Sequence, residues 1–257
     1  MKTTALIDAD ILVYVAAFHN QDSYEWVEGE DPVTVADEES SYHMLEDLVD
    51  EIKEAVKADD YIMCLSCPAS EGWRRKVLPD YKLNRSGKEP PLMRQKLIKY
   101  IKDNMPFAYM DSFEGDDCMG ILMTHPDKIK GHKVICSSDK DMKTIVGDHY
   151  DFKHKERFYV GEDEAYYWHM FQTLTGDTTD NYKGCPRIGQ VKAEKILSAV
   201  EPPEYWKTVV ETFAKAGCTE EEALVQARVA KICQWTDVNY DSGEVILWTP
   251  PKEEEDV

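Results

Sequence analysis

An α/β fold, with a largely parallel central sheet and helices on both faces, is predicted by three features of this 257-residue chain. Short apolar runs that end in polar or acidic residues alternate with longer stretches of helical apolar spacing, the pattern of strand and crossover helix. Acids follow directly on the first and the fourth of those runs, at Asp8 and Asp139, where open α/β sheets place their ligands. From about residue 164 onward the alternation gives way to consecutive helical stretches.

"TTALID" (3–8) reads as the first strand. "HNQDSYEWVEGEDPVTVADEESS" (19–41) shows no periodicity and reads as an exposed acidic insertion. Tyr42 to Val56 carries helical spacing, "YIMCLS" (61–66) is the second strand, and Leu92 to Ile101 is the next helix. "FAYMD" (107–111) and "KVICSS" (133–138) supply two further strands. "EAYYWHMFQTLTG", "QVKAEKILSAV", "PEYWKTVVETFAKAG" and "TEEEALVQARVAKICQW" then read as helices, with Gly176 and Gly217 as C-terminal stops. "GEVILWTPP" is an edge strand or an extended tail, and "EEEDV" is a frayed end. There is no internal repeat.

Composition narrows the function classes. Hydrophobic content of 42% and charged content of 31% are those of a globular protein with a real core. No apolar run approaches the roughly 20 residues of a membrane span. The opening "MKTTALIDADI" has an acid at position 8 where a signal peptide needs an apolar run, so a cytoplasmic location is expected. Seven cysteines, an odd number inside mostly apolar segments, read as free thiols. Cys64 and Cys67 have half the spacing of a zinc site without a second half, and core thiols are the better reading.

A net charge of −20 argues against indiscriminate adhesion to nucleic acid, but the average hides an asymmetry. Residues 74–102 hold ten cations (Arg74, Arg75, Lys76, Lys82, Arg85, Lys88, Arg94, Lys96, Lys99, Lys102) against two acids, so this segment carries +8 and the other 228 residues −28. A basic patch on an acidic body is the footprint of a polyanion held at one place; the plainer alternative is a solvated helix face.

Four small acidic clusters stand out: Asp8 with Asp10; Glu114, Asp116 and Asp117 in "FEGDDCMG"; Asp139 and Asp141 in "SSDKDMKTI"; Asp177 and Asp180 in "GDTTDNYKG". Each alone is accounted for by a helix cap. Three of them follow apolar runs expected to end on one sheet edge, so together they predict a shared cleft whose like charges need divalent cations. An all-oxygen set suits Mg²⁺ or Mn²⁺. Two such ions about 4 Å apart can serve both the attacking and the leaving oxygen of phosphodiester hydrolysis. "GCPRIG" follows, with Gly184 and Gly189 allowing close backbone approach, and a helix starting near Gln190 that aims N–H groups at a phosphate beside Lys192 and Lys195.

This order of motifs resembles the 5′ nuclease superfamily, which includes flap endonucleases and the 5′ nuclease domains of bacterial DNA polymerases. The matching stretches are "LIDADILVY", "LPDYKLNR", "FEGDDCMGILM", "VICSSDKDMKTI" and "LTGDTTDNYKGCPRIGQVKAEKIL", spread over residues 6–197. "WRRKVLPDYKLNR", "WHMFQTLTGDTTDNYKG" and "ARVAKICQWTDVNYDSGEVILW" are similar to the 5′–3′ exonucleases of short-tailed (podovirus) phages.

The resemblance implies one nuclease domain over 1–257, with an α/β core to residue 175, a basic arch or gateway at about 73–104, and a helical DNA-binding region with a helix-hairpin-helix-like motif over 176–257. It implies that Asp8, Glu114, Asp116, Asp117, Asp139, Asp141, Asp177 and Asp180 are the metal-site acids, with Asp10 behind them. Lys82 and Arg85 match the basic pair at the scissile phosphate, and Tyr81 a residue that stacks on a base. Arg74, Arg75, Lys76, Arg187, Lys192 and Lys195, with Gly184 and Gly189, are the expected DNA contacts, and a monovalent cation is expected at the glycine hairpin.

The implied activity is a Mg²⁺- or Mn²⁺-dependent 5′–3′ exonuclease, with flap-endonuclease and RNase H-type action, in phage replication or recombination. Its partners would be duplex DNA with a 5′ end, a flap or an RNA–DNA hybrid, and the protein is expected to act as a monomer away from membranes. Relatives carry a further acid where this chain reads "CLSCPASEGW", with Cys67 or a neighbour in its place, so the number of bound ions stays open. A structure-specific DNA-binding protein with an inactive site, and a PIN-like ribonuclease, remain as alternatives.

Overall fold

The structure, a computed structural model, describes residues 2–25, 32–85, 87 and 89–251. Part of the 19–41 insertion, Lys88 of the basic patch and the "EEEDV" tail lie outside the described residues.

The chain runs β1 (Thr3–Asp8), α1 (Ala9–His19), β2 (Gln21–Tyr24), β3 (Val33–Ala36), α2 (Glu38–Val56), β4 (Asp60–Cys64), α3 (Arg74–Val77), α4 (Arg94–Asn104), β5 (Phe107–Ala108), α5 (Gly115–Thr124) and β6 (His132–Cys136). It continues with β7 (Gly147–Asp151), β8 (Glu156–Val160), α6 (Glu162–Thr175), α7 (Gln190–Leu197), α8 (Tyr205–Lys215), α9 (Glu220–Ala230), β9 (Val238–Asn239) and β10 (Glu244–Val245). Single 3₁₀ turns lie at Leu83–Arg85, Lys140–Thr144, Pro202–Glu204 and Trp235–Asp237.

Six strands form the central sheet in the order β5-β4-β1-β6-β7-β8. All neighbours are parallel except β7 and β8, which make the one antiparallel pair of that sheet. β1 lies between β4 and β6, with Asp8 level with Cys64 and Ile7 level with Cys136. The carboxyl ends of β1 and β6 therefore open on the same edge.

Alternation along β1 explains why helices cover both faces. Ala5 and Ile7 pack with Leu12, Leu45, Val49 and Leu97, from α1, α2 and α4. Leu6 packs instead with Cys118, Met119 and Leu122 of α5 and with Ile135 and Ile145. A separate core joins α6 to α9 through Met170, Leu174, Leu197, Val209, Phe213 and Ala227.

Four strands were legible as apolar runs; β7 and β8 were not. β7 buries the polar His149, whose Nε2 lies 2.8 Å from the Ile145 carbonyl, so "GDHYD" shows neither an apolar run nor alternation. Within the insertion β2 pairs with β3, and Tyr24, Val33 and Val35 are exposed hydrophobic residues of that pair. α9 stops at Ala230, earlier than its apolar pattern suggests, because Ile232 and Cys233 turn back to pack against the α/β layer. Gly176, with φ 64°, ends α6, and Gly217, with φ 82°, follows α8. In the basic segment, α4 buries Leu97 and Ile101 against the core rather than spanning open space. No helix of the described residues is long and apolar enough to cross a membrane.

Candidate functional site

Three of the acidic clusters sit where the chain leaves a sheet strand or opens a helix, and the fourth follows the end of α6. Asp8 ends β1 and caps α1, accepting from the Ile11 amide at 3.2 Å and from the Ser137 hydroxyl at 2.7 Å. Glu114 caps α5, which places Asp116 and Asp117 in its first turn. Asp139 caps the turn after β6 and accepts from the Asp141 amide at 2.8 Å. Asp177 pairs with Tyr182 across a short bridge and accepts from the Thr179 amide at 2.6 Å.

The eight acids divide into two electrostatic classes. Asp8, Asp116, Asp139 and Asp141 make no salt bridge among the described residues. Burial and then one another's charge push them up: Asp8 to about 7 with Asp10 and Asp139 beside it, and Asp141 to about 7 with Asp139, Asp177 and Asp180 beside it. Asp116 is held well above the carboxylate range by burial, Asp8 and Asp139. Asp139 is raised for the same kind of reason.

The other four have cations. Lys82 Nζ lies 2.6 Å from Glu114 and 3.5 Å from Asp180, Arg85 is 2.5 Å from Asp180, and Lys140 is 3.3 Å from Asp177. Glu114 is lowered although burial opposes it, because the Lys82 and Arg74 charges outweigh the desolvation. Lys82 takes the left-handed region at φ 53°, where a non-glycine residue costs roughly 1–2 kcal/mol. Its amide donates to the Asp180 carbonyl at 2.8 Å, so that strain tethers the cation between Glu114 and Asp180.

Asp117 is fully buried in a closed clamp. Arg74 holds it with two hydrogen bonds of 2.7 and 2.8 Å, and Trp73 Nε1 and the amides of Glu114 and Cys233 complete its shell. This pulls its pKa down to about 2 against the cost of burial, chiefly through the Arg74 charge. Arg74, expected to contact DNA, is 3% exposed and also donates to the Val229 and Lys231 carbonyls. A guanidinium so placed cannot reach a phosphate without unfolding its surroundings. Tyr81, expected to stack on a base, is likewise buried at 4% exposure, and its hydroxyl, with one proton to donate, lies 2.8 Å from Asp180 and 3.1 Å from Glu114. Its ring stacks on Tyr182 within the protein.

Arg75 is partly buried and donates to the Tyr81 carbonyl, while Lys76, Arg187, Lys192 and Lys195 are exposed. Gly184 is required by the fold: at φ 63° it passes so close to α6 that a Cβ would meet the Gly176 nitrogen at 2.3 Å and the Leu174 carbonyl at 2.6 Å. Gly189 stands in open space with extended φ and opens α7 without a side-chain cap. Asp10 accepts from the Ser66 amide at 3.2 Å. Of "CLSCPASEGW", the Ser66 amide meets Asp10, while the Cys67 thiol, pushed up to about 12 by burial and then by the charges of Glu114 and Asp117, makes no bond to an acid among the described residues.

Sequence reasoning passed over Ser66, Ser137 and Gln172. Ser137 lies two residues before Asp139 and links it to Asp8. Gln172 donates to Asp141 at 2.6 Å from the last turn of α6. Neutral residues carry no sequence signal of this kind, although Ser137 stands inside the "SSDKD" motif.

Among the described residues no three acid, histidine or cysteine side chains are already drawn together as a metal cage. The donor chemistry nonetheless suits a hard divalent cation: only carboxylate oxygens, four of them without a cationic partner and mutually repelling.

A family model described as 5′-3′ exonuclease, N-terminal resolvase-like domain, matches residues 3–170. The exodeoxyribonuclease of Enterobacteria phage T3 is 29% identical over 284 residues, 97% of this chain and 93% of that protein. The exonuclease of Escherichia phage T7 is 28% identical over 283 residues, 97% and 94% respectively. In structure the chain is similar to the T5 D15 protein co-crystallised with metal ions, with a TM-score of 0.64, 14% identity and 90% of both chains covered, a likeness of fold. With most of its length matched by that model, the chain belongs to the 5′-3′ exonuclease family with the N-terminal resolvase-like domain.

Proposed function

We propose that the protein is a divalent-metal-dependent 5′–3′ exonuclease that hydrolyses phosphodiester bonds from the 5′ end of duplex DNA, with flap and RNA–DNA substrates as further candidates. Its relatives in phages T3 and T7 support a place in phage DNA metabolism. The observation that carries the reading is the row of unbridged carboxylates Asp8, Asp116, Asp139 and Asp141, at the carboxyl edge of the sheet, with Lys82 and Arg85 held on its rim by Glu114 and Asp180.

In this reading Asp8, Asp116, Asp139 and Asp141 hold Mg²⁺ or Mn²⁺, with Glu114, Asp177 and Asp180 at the periphery. Such ions supply Lewis-acid stabilisation of a scissile phosphate. Ser137 and Gln172 fix the orientations of Asp8 and Asp141 through hydrogen bonds of 2.7 and 2.6 Å. A phosphate entering the cleft competes with Glu114 and Asp180 for Lys82 and Arg85, which then face the negative charge that grows in the transition state. Tyr81, buried against both acids, orients this exchange. Asp117 serves the fold through Arg74.

Lys76, Arg187, Lys192 and Lys195, with the uncapped start of α7, are the proposed backbone contacts. The α/β core to residue 175 and the helical region over 176–257 form the proposed single nuclease domain, joined by the return of residues 232–245 to the first.

Purified protein incubated with 5′- and 3′-labelled duplex, with and without Mg²⁺, tests the reading. Mg²⁺-dependent loss of the 5′ label ahead of the 3′ label is expected. Binding without any cleavage would leave a DNA-binding protein, and cleavage of RNA alone a ribonuclease.

A further inference from the structure

The central sheet has an open edge at β5, which contributes only Phe107 and Ala108 and pairs with β4 alone. Phe107 is 43% exposed there. Beside this edge the packing is incomplete. A cavity of about 360 Å³ lies between Ile62 and Ala108 of the sheet, Ile121 and Leu122 of α5, and Ile129 of the loop after α5. Among the described residues Lys128 is the one charged group in its lining. The recess has room for a bulky apolar side chain that the chain itself does not supply.

A second cavity, of about 600 Å³, shares Ile62, Lys128 and Ile129 with the first and continues it to the amino ends of β1 and β4. Its rim carries Lys2, Lys53, Lys128 and Lys130 against Asp59 and Asp60, four cations to two acids, on a chain whose net charge is −20. Both acids are engaged: Asp59 accepts from the Thr3 amide at 2.7 Å, and Asp60 pairs with Lys2. Lys53 and Lys130 hold Asp50 and Asp127, whose side chains are 75% exposed, and exposed pairs of this kind contribute little and yield readily to a better partner. Lys128 makes no ion pair among the described residues, and neither does Lys102, which lies 4.4 Å from the ring of Tyr109 in the apolar lining.

Position separates this groove from the carboxylate row. Thr4 and Asp60 lie level with each other at its amino-end wall, whereas Asp8 closes β1 at the other end. A ligand in the groove therefore leaves the acids at the carboxyl edge uncovered.

The lining selects the occupant. Lysines beside an edge strand ordinarily keep it from pairing with other chains. Here they also border an apolar recess, and the combination fits a chain that carries both carboxylates and apolar side chains. Its apolar groups enter the recess, its carboxylates meet the lysines, and its backbone runs along β5. A nucleic-acid backbone would meet the lysines but leave the recess unfilled and bring phosphates against Asp59 and Asp60. We propose that the groove docks an extended acidic segment of a partner protein, with a side chain the size of Phe or Leu seated between β5 and α5 and its carboxylates on Lys128 and the neighbouring lysines. This inference does not rest on the nuclease reading; it describes how the protein can be held by a partner while its acidic cleft stays free.

The test is a displayed library of random peptides selected against the full chain in the absence of DNA. Enriched peptides are expected to combine several acids with bulky apolar residues. Made with a fluorescent label, they should bind wild type with an affinity that falls as salt rises. They should bind Lys128→Glu and Phe107→Ser roughly fivefold or more weakly, read by anisotropy. A benzophenone at the apolar position of the peptide should cross-link to wild type within residues 107–129, which decides the matter even if Phe107→Ser fails to fold. No enriched sequence, enriched sequences without acids, affinities unchanged in both folded variants, or cross-links confined to other regions would each overturn the proposal. An oligothymidylate that displaces the peptides and itself loses affinity in both variants would overturn it in favour of nucleic acid. Self-association of wild type that Phe107→Ser abolishes would overturn it in favour of a second copy of this chain. Cleavage is not part of the readout, so a protein inactive on labelled duplex loses the nuclease reading and keeps this one, and an active protein without such peptides does the reverse.

Discussion

Asp116 and Asp117 are adjacent in the first turn of α5, yet replacing each by asparagine should move stability in opposite directions. Asp117 accepts five hydrogen bonds, two of them from Arg74, and is fully buried. Asparagine keeps the shape but turns one acceptor into a donor and removes the charge that neutralises Arg74. Breaking a buried pair by removing one partner costs about 3–5 kcal/mol. For a domain of this size that corresponds to a fall in Tm of roughly 6–20 °C. The linkage has a definite sign. Asp117 sits at about 2 when folded against 3.8 ordinarily, so its contribution is fully present above pH 3.8 and is lost as pH falls through 2.

Asp116 is raised instead, by burial and by the charges of Asp8 and Asp139. The folded protein then binds more protons than the unfolded chain above pH 3.8, so Asp116 withdraws stability as pH rises. Without added metal at pH 7.5, Asp116→Asn should therefore melt at or above the wild-type temperature, and the gain should disappear near pH 3.5. Its Mg²⁺-dependent cleavage should be abolished. Thermal unfolding in EDTA at the two pH values, paired with a gel assay of labelled duplex, makes the comparison. A Tm loss in Asp116→Asn equal to that in Asp117→Asn, or an unmoved Tm in Asp117→Asn, would refute the division of the acids into two classes.

Other expectations are independent of this pair. Lys82→Ala should slow single-turnover cleavage far more than it weakens binding, whereas Arg187→Ala and Lys192→Ala should lower affinity and flatten its salt dependence; the opposite pattern would exchange their roles. His169, buried with Nε2 at 2.8 Å from the Ala227 carbonyl, is lowered from 6.5 to about 3 by desolvation and then by Lys231. Its contribution is present above pH 6.5 and is lost as pH falls toward 3, by up to about 2 kcal/mol between pH 6.5 and 5. Denaturant unfolding of His169→Gln, whose amide can still donate to that carbonyl, should show a flatter pH dependence than wild type. Cys67→Asp should destabilise the protein, because the side chain enters a buried site already bordered by Glu114 and Asp117; a lower Mg²⁺ requirement in a fully stable variant would instead place it on the metal row.

What the sequence reveals here depends on whether a residue's role is local or is set by a distant partner. β1 and β6 were legible because their apolar runs reflect burial on both faces, and β4 and the partly exposed edge strand β5 because they are short apolar runs between helical stretches. Asp8 and Asp139 were legible because the end of such a strand is a defined place in an α/β sheet. Arg74 was misjudged because charge patterning sees a cation among "WRRK" and cannot see an aspartate 43 positions later that cancels it. Tyr81 was misplaced for the same reason, its acceptors being 33 and 99 positions away. Gln172 left no trace at all, since an amide in the last turn of a helix looks like surface until Asp141 is brought against it.

These long-range pairings also account for how so acidic a chain can keep a carboxylate cleft open. Asp117 is neutralised by Arg74, and Glu114 is shared between Arg74 and Lys82. Asp180 takes Arg85 and Lys82, and Asp177 takes Lys140. The internal cations thus quiet the rim and leave the remaining repulsion to Asp8, Asp116, Asp139 and Asp141, where bringing in a divalent ion returns the most free energy. Lys82 and Arg85 belong to both halves of this arrangement. In the proposed reading Glu114 and Asp180 hold them beside the cleft, where a phosphate arriving with the ions would compete for them.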